Sequence, residues 1–248
     1  MTIFDISVHK NVLFQILKDI YSDTTISSFL GFKGGTAALM FYKLDRFSVD
    51  LDFDLLDDSK ENYVFDRVEK IAQKYGVVKE SAKKRFNLFL MISYKVGVPQ
   101  IKIEINRRSS GSKYELKTYL GISMLAMVCE DMFAHKLVAM NERVGKTSRD
   151  IYDVWFFLKN NFPINEKIVE LRTGVLFRKF ILKCVSQLEK MNDRNILDGL
   201  GELLTPAQKD WARAKLRTDT IFLLKLRLET DRHTLGNLLK TDTRLPLY

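Results

Sequence analysis

The sequence predicts an α+β fold: a mixed sheet with helices over residues 1–158, followed by an all-helical region over 159–248. Three observations predict it. Apolar and polar residues alternate with a period of two at 48–55, and two further strand candidates follow at 87–96 and 100–106. From Ile122 onward the apolar residues instead recur at three and four positions. Between the two regimes, residues 111–121 read as a linker bounded by glycines.

Taken in order, residues 4–21 carry apolar residues at helical spacing. Asp5, His9, Lys10 and Lys18 interrupt them, so the segment reads as an amphipathic helix and not a signal peptide. Residues 28–32 form a short apolar strand ended by Lys33-Gly34-Gly35. Thr36, as N-cap or first-turn residue, opens a short helix over 36–42. Over 48–55, Val49, Leu51, Phe53 and Leu55 alternate with Asp50, Asp52 and Asp54, which is a strand pattern. A helix over 62–75 stops at Gly76, and strands at 87–96 and 100–106 flank a Gly97-Val98-Pro99 turn. Helices follow at 123–141 and 149–159, with a break at Pro163. Further helices end near Lys240, the longest over 206–228 with Pro206 in its first turn.

No apolar run approaches the roughly 18 residues that a membrane span requires, so the sequence predicts a cytoplasmic protein without membrane attachment. Cys129 and Cys184 lie far apart in apolar surroundings and read as buried thiols. The net charge is +9, and the segment after Leu158 holds 17 of the 40 Lys and Arg against 11 of the 31 Asp and Glu. That basic balance favours a polyanionic partner. Arg213 and Arg217, four apart on the expected long helix, share one face and form a candidate RNA-binding stripe. His9, His135 and His233 are not at metal-ligand spacing.

The chemistry concentrates in residues 31–55. Gly34-Gly35 leaves a strand and enters a helix, so backbone N–H groups can approach a phosphate with no side chain intervening. Asp50 and Asp52, two apart on a strand, project from one face. Side-by-side carboxylates repel unless a cation lies between them, and hard oxygen ligands suit Mg²⁺ or Mn²⁺. A solvated edge-strand face is the alternative reading of an Asp-x-Asp pair. Glycine pair, short helix and Asp-x-Asp strand together resemble the signature of the DNA polymerase β-type nucleotidyltransferase superfamily. That resemblance implies a third carboxylate on a later strand; Glu104 fits, with Asp54 as the rival on the face of Asp50 and Asp52.

A second block comprises Glu130-Asp131-Met132-Phe133-Ala134-His135-Lys136-Leu137, then Arg143, then Arg149-Asp150-Ile151-Tyr152-Asp153-Val154. With Gly34-Gly35-Thr36-Ala37-Ala38-Leu39 and Arg46-Phe47-Ser48-Val49-Asp50-Leu51-Asp52, it resembles the AbiEii/AbiGii (MenT-like) toxin family. The extra alanine, and Glu at 104 where Asp is commoner, are small departures. The resemblance covers residues 31–158.

It implies a nucleotidyltransferase that moves an NMP from an NTP to an RNA acceptor such as the tRNA 3′ end. The biological setting would be a toxin–antitoxin or phage-defence system with a cognate antitoxin. Asp50, Asp52 and Glu104 would bind Mg²⁺ or Mn²⁺; Gly34, Gly35 and Thr36 would cradle phosphates, with Arg46 and Ser48 beside them. Lys136 would offset phosphate charge, oriented by Asp153. Read without the resemblance, Lys136 is a surface lysine, and Arg149, Asp150 and Asp153 serve a helix start and local pairing. A small-molecule or protein acceptor, and a catalytically idle binding protein, are the competing function classes.

Overall fold

The computed structural model describes residues 6–241, with side chains described through Glu229. Phe4 and Asp5 of the expected first helix, and the His233 side chain, lie outside the described residues. The chain runs through α1 (Ile6–Ser22), β1 (Leu30–Lys33), α2 (Gly34–Tyr42), β2 (Leu51–Leu55), α3 (Glu61–Ala72), β3 (Val77–Lys83), β4 (Asn87–Ser93), β5 (Ile101–Asn106), β6 (Tyr114–Tyr119) and β7 (Ile122–Met127). Helices α4 (Cys129–Arg143), α5 (Arg149–Lys159), α6 (Glu166–Thr173), α7 (Phe177–Lys190) and α8 (Pro206–Thr241) follow. The expected α+β class, with a helical C-terminal region, is what the chain adopts.

The chain forms two compact units, Met1–Met132 and Phe133–Tyr248. The boundary read from sequence follows the last motif, at Leu158; the structural boundary instead falls in the first turn of α4 and groups α5 with the later helices.

The first unit holds a seven-stranded sheet in the order β3-β4-β5-β2-β1-β7-β6. β2 pairs parallel with β5 and antiparallel with β1, so the sheet is mixed. Its two faces differ sharply. Leu30, Phe32, Leu51, Phe53, Leu88, Leu90, Ile92, Ile101, Ile103 and Ile105 are buried and share one face through the registers Phe32↔Phe53, Phe53↔Ile105 and Leu90↔Ile103. Buried residues of α1 (Leu13, Ile16, Leu17, Ile20) and α3 (Val64, Phe65, Val68, Ile71) supply the apolar layer against it. Tyr21 of α1 donates to the Leu30 carbonyl at 2.9 Å, fastening that layer to β1. Each fully buried aliphatic or aromatic side chain of this kind contributes about 1.5–3 kcal/mol. Polar residues occupy the opposite positions of β2 and β5: Asp52, Asp54, Glu104 and Asn106.

The second unit is helical, with α8 packing on α5 and α7. Trp155 and Trp211 join α5 to α8, with ring centroids 4.0 Å apart, and Phe133 stacks on Phe157 at 5.2 Å. Pro206 does open the longest helix, as its fixed φ and missing N–H favour.

Residues 111–127 differ from expectation. The supposed linker and the start of the supposed helix are a hairpin, with β6 and β7 in antiparallel register from Tyr114↔Met127 to Tyr119↔Ile122. The turn is Leu120-Gly121, both at positive φ (48° and 81°), as a type I′ turn requires. An Asn-Gly or Asp-Gly pair would have announced it; leucine does not. β3 is likewise an edge strand: exposure alternates along it, at Val77, Lys79, Ser81 and Lys83, but residue type does not, since Val77 is exposed and Glu80 half-buried.

Among the described residues no helix is long and apolar enough to cross a membrane. Both cysteines are free; Cys184 is buried as expected but Cys129 is only half-buried, and desolvation pushes both thiols up to about 12.

Leu120 is 75% exposed, so its replacement removes little packing. Leu120→Asn is expected to stabilise the protein by about 1 kcal/mol, because asparagine accepts left-handed backbone more readily. A denaturant midpoint that stays or falls would contradict this account of the turn.

Candidate active site

β1 ends at Lys33 and α2 begins at Gly34, with no residue between them. Gly34 has φ +79°, and a Cβ there would lie 2.1 Å from Oδ2 of Asp52. The position therefore demands glycine twice over, for its backbone angle and for the close approach to a carboxylate. A Cβ on Gly35 would meet Ser48 Oγ at 2.7 Å and Arg46 Nη2 at 3.1 Å. The glycine pair thus lets the first turn of α2, with its N–H donors, sit against the segment leading into β2.

That segment is fastened from several sides. Thr36 is in the first turn of α2, not at its N-cap, which is Lys33. Its hydroxyl donates to the Asp50 carbonyl at 2.5 Å and lies 3.0 Å from Ser48 Oγ. Arg46 is 2% exposed and donates to the Phe47 carbonyl at 2.8 Å. Thr36, Arg46 and Ser48 therefore support the approach to Asp50 from inside the fold. His9 of α1 is fully buried, with Nε2 3.2 Å from the Val49 carbonyl and Nδ1 2.8 Å from the Tyr94 hydroxyl. Desolvation lowers the His9 pKa, against opposing effects of the Val49 carbonyl and Asp50. The neutral ring with Nε2–H donating and Nδ1 accepting satisfies both contacts. No local signal points to His9 as a support, since Val49 and Tyr94 are distant in sequence.

The parallel ladder sets Asp52 opposite Glu104, and Asp54 opposite Asn106. Lys33 and Asn106 donate to Asp54 Oδ1, both at 2.6 Å, and the Tyr114 hydroxyl donates to Oδ2. Burial, then the charge of Asp54, pushes the Tyr114 pKa upward, so it remains a donor. Both oxygens of Asp54 are thereby used, at 5% exposure, in holding β1, β5 and β6 around β2. Glu104 accepts from the Asn87 amide at 2.8 Å. Lys33, Tyr114, Asn87 and Asn106 are partners not foreseen from the sequence; Asn106 continues the polar alternation of β5, a signal that could have marked it, whereas Asn87 merely opens an apolar strand. Among the described residues, no group of three or more His, Cys, Asp or Glu side chains is arranged as a metal cluster.

In the second unit, Lys136 of α4 reaches Asp153 at 2.7 Å and Asp150 at 3.3 Å on α5. Asp150 also pairs with Arg143 at 3.2 Å. The lysine side chain is 14% exposed and the two carboxylates 2% and 0%, so the pairing is largely desolvated. Lys136 is thus not a solvated surface lysine, and Asp150 and Asp153 both hold it. His135 lies against Arg172 at 2.7 Å.

A family model described as nucleotidyl transferase AbiEii toxin, type IV TA system, matches residues 15–220. The chain belongs to the AbiEii family. It is accordingly a nucleotidyltransferase of a type IV toxin–antitoxin family. Two crystal structures from Helicobacter pylori share the AbiEii fold seen here. One, of JHP933, has a TM-score of 0.54 at 21% identity and covers 94% of this chain and 97% of that one. The other, a provisionally assigned nucleotidyltransferase, has a TM-score of 0.52 at 21% identity and covers 91% and 96%. Comparison with curated proteins found no match.

Asp54→Asn is expected to cost about 2–3 kcal/mol, below the usual range for breaking a buried pair because Lys33 is partly exposed. Equilibrium unfolding measures it, and an unchanged midpoint would remove Asp54 from its structural role. Lys136→Ala is expected to cost about 3 kcal/mol by taking the ammonium away from two buried carboxylates, of which Asp150 keeps Arg143, with Asp153→Asn recovering part of the loss in the double variant.

Proposed function

We propose that this AbiEii-family nucleotidyltransferase depends on Mg²⁺ or Mn²⁺ and transfers an NMP from an NTP to an RNA acceptor such as the 3′ end of a tRNA. Its biological role would be that of a toxin restrained by a cognate antitoxin, including in phage defence. The observation that carries the metal dependence is the register Asp52↔Glu104, with Asp50 two residues ahead of Asp52. Like charges at paired ladder positions disfavour the sheet, by roughly 0.2–1 kcal/mol, and a cation reverses the sign of that effect. The donors are hard carboxylate oxygens, which fit Mg²⁺ or Mn²⁺, and the three donors to Asp54 favour Glu104 over it as the third ligand. Asp50, Asp52 and Glu104 would hold the metal. When bound, it supplies Lewis-acid charge to phosphate oxygens and lowers the pKa of an acceptor hydroxyl.

The chain's own groups do the rest. The amides of Gly34 and Gly35 donate to phosphate oxygens at the start of α2, where the helix dipole favours negative charge. Lys136 serves as a compact positive charge for a phosphate, oriented by Asp153 and Asp150. In the transfer, an acceptor oxygen bonds to the α-phosphorus while the bond to the bridging oxygen breaks and pyrophosphate leaves.

The net charge of +9 supports a polyanionic acceptor. One observation favours the second reading, a small-molecule or protein acceptor: four cations of α8 are paired within the fold. Arg213 meets Asp210 at 2.9 Å, Arg217 meets Asp193 at 2.6 Å, Lys225 meets Glu189 at 2.7 Å and Arg227 meets Glu166 at 3.4 Å. The stripe expected from sequence is therefore largely neutralised where it stands.

The test is incubation of the pure protein with each labelled NTP and total RNA, with and without EDTA. Asp52→Asn and Glu104→Gln are each expected to reduce labelling at least about 100-fold, or about 2.7 kcal/mol of transition-state stabilisation, with normal unfolding midpoints. Labelling that survives EDTA or Asp52→Asn would remove the metal assignment, and label entering only small molecules would replace the acceptor.

A further inference from the structure

The loop joining β3 to β4 and the residues after β5 bring Lys84, Arg85, Phe86, Arg107 and Arg108 to one end of the sheet. The Arg107 amide donates to the Phe86 carbonyl at 2.9 Å, fixing the two segments together. Phe86 is 44% exposed, and the guanidiniums of Arg85 and Arg108 lie over its ring at 4.8 and 4.7 Å from the centroid. Both arginines are exposed, and among the described residues neither forms an ion pair, in contrast to the four paired cations of α8. Arg107 is pinned to Glu61 of α3 at 3.1 Å, so the cluster is held by the fold. The patch also continues into the carboxylate face. Lys84 lies 3.5 Å from the centroid of Phe89, whose ladder partner is Glu104.

An exposed aromatic ring stacked with guanidiniums that carry no counter-charge suits a chain that offers phosphates and flat bases together. Guanidinium planes and aromatic rings both stack on unpaired bases, and such stacking tolerates sequence. We propose that this patch binds a single-stranded segment of the RNA acceptor, its phosphates on Arg85 and Arg108 and its bases against the Phe86–arginine stack. The proposal rests on the RNA-acceptor reading above and names the surface that delivers the strand to the carboxylates of β2 and β5.

The experiment measures binding of a single-stranded RNA oligonucleotide to the full chain by fluorescence anisotropy over a salt series. The double variant Arg85→Glu/Arg108→Glu is expected to bind at least about tenfold more weakly. Its log–log salt slope should fall by about 1.4, because two phosphates are no longer neutralised. Phe86→Ala is expected to weaken binding about tenfold while leaving the slope unchanged. Arg213→Glu on α8 is expected to leave RNA affinity as it is, and NTP binding should persist in all three variants. Wild-type protein that binds and labels no RNA overturns the acceptor reading and this proposal with it. RNA binding that survives both the double reversal and Phe86→Ala overturns the patch alone. Poly-glutamate binding abolished in parallel with RNA binding, with Phe86→Ala silent on RNA, overturns it in favour of an acidic protein partner.

Discussion

The parallel ladder between β2 and β5 decides which carboxylates can work together. In a parallel pair, side chains at matched positions lie on the same face of the sheet. Asp52 and Glu104 are therefore neighbours because Phe53 and Ile105 are neighbours on the apolar side. A one-residue slip of β5 would put Ile103 or Ile105 among the carboxylates and Glu104 into the core. The apolar face thus fixes the chemistry of the polar one, and the glycine pair completes it by letting α2 begin against Asp52.

Asp52 and Asp54 show how neighbours can divide the same residue type between two tasks. Both lie on the polar face of β2, and sequence pattern alone treats them alike. Asp54 faces a lysine, an asparagine amide and a tyrosine hydroxyl contributed by β1, β5 and β6, so its charge is spent on joining strands. Asp52 faces the positive-φ turn of Gly34, where a larger residue would collide with it. The difference comes from the partners that the sheet order brings alongside, not from the carboxylates themselves. The same principle separates Lys136 from an ordinary helical lysine: α5 presents two buried carboxylates to it.

Most elements with a strong period can be read directly. β2, β5 and α5 lie within the stretches read for them, because alternation and helical spacing are local properties of the chain. What escapes is non-local or weakly patterned. The β6–β7 hairpin turns at Leu120-Gly121, a pair without the usual asparagine or aspartate, and β7 is too apolar to betray a period of two. Thr36, Arg46 and Ser48 are recognisable as residues that matter, yet their hydroxyls and guanidinium are occupied in bracing the entrance to β2. Sequence spacing marks such a residue but does not show whether it faces a ligand or the fold.

Charge follows the same logic. The C-terminal region holds most of the excess positive charge, and helical spacing alone makes Arg213 and Arg217 a candidate stripe. In the fold, acidic residues from α6, α7, the turn after α7 and α8 itself pair with Arg213, Arg217, Lys225 and Arg227 of α8. Exposed pairs of this kind are individually weak, about 0–1 kcal/mol, but each lowers the local potential that a polyanion would feel. Arg85 before β4 and Arg108 after β5 escape that neutralisation: each stacks on the Phe86 ring, which holds a guanidinium without cancelling its charge. Net charge therefore measures how much positive charge the chain carries, whereas the pairing pattern determines where a phosphate would find it.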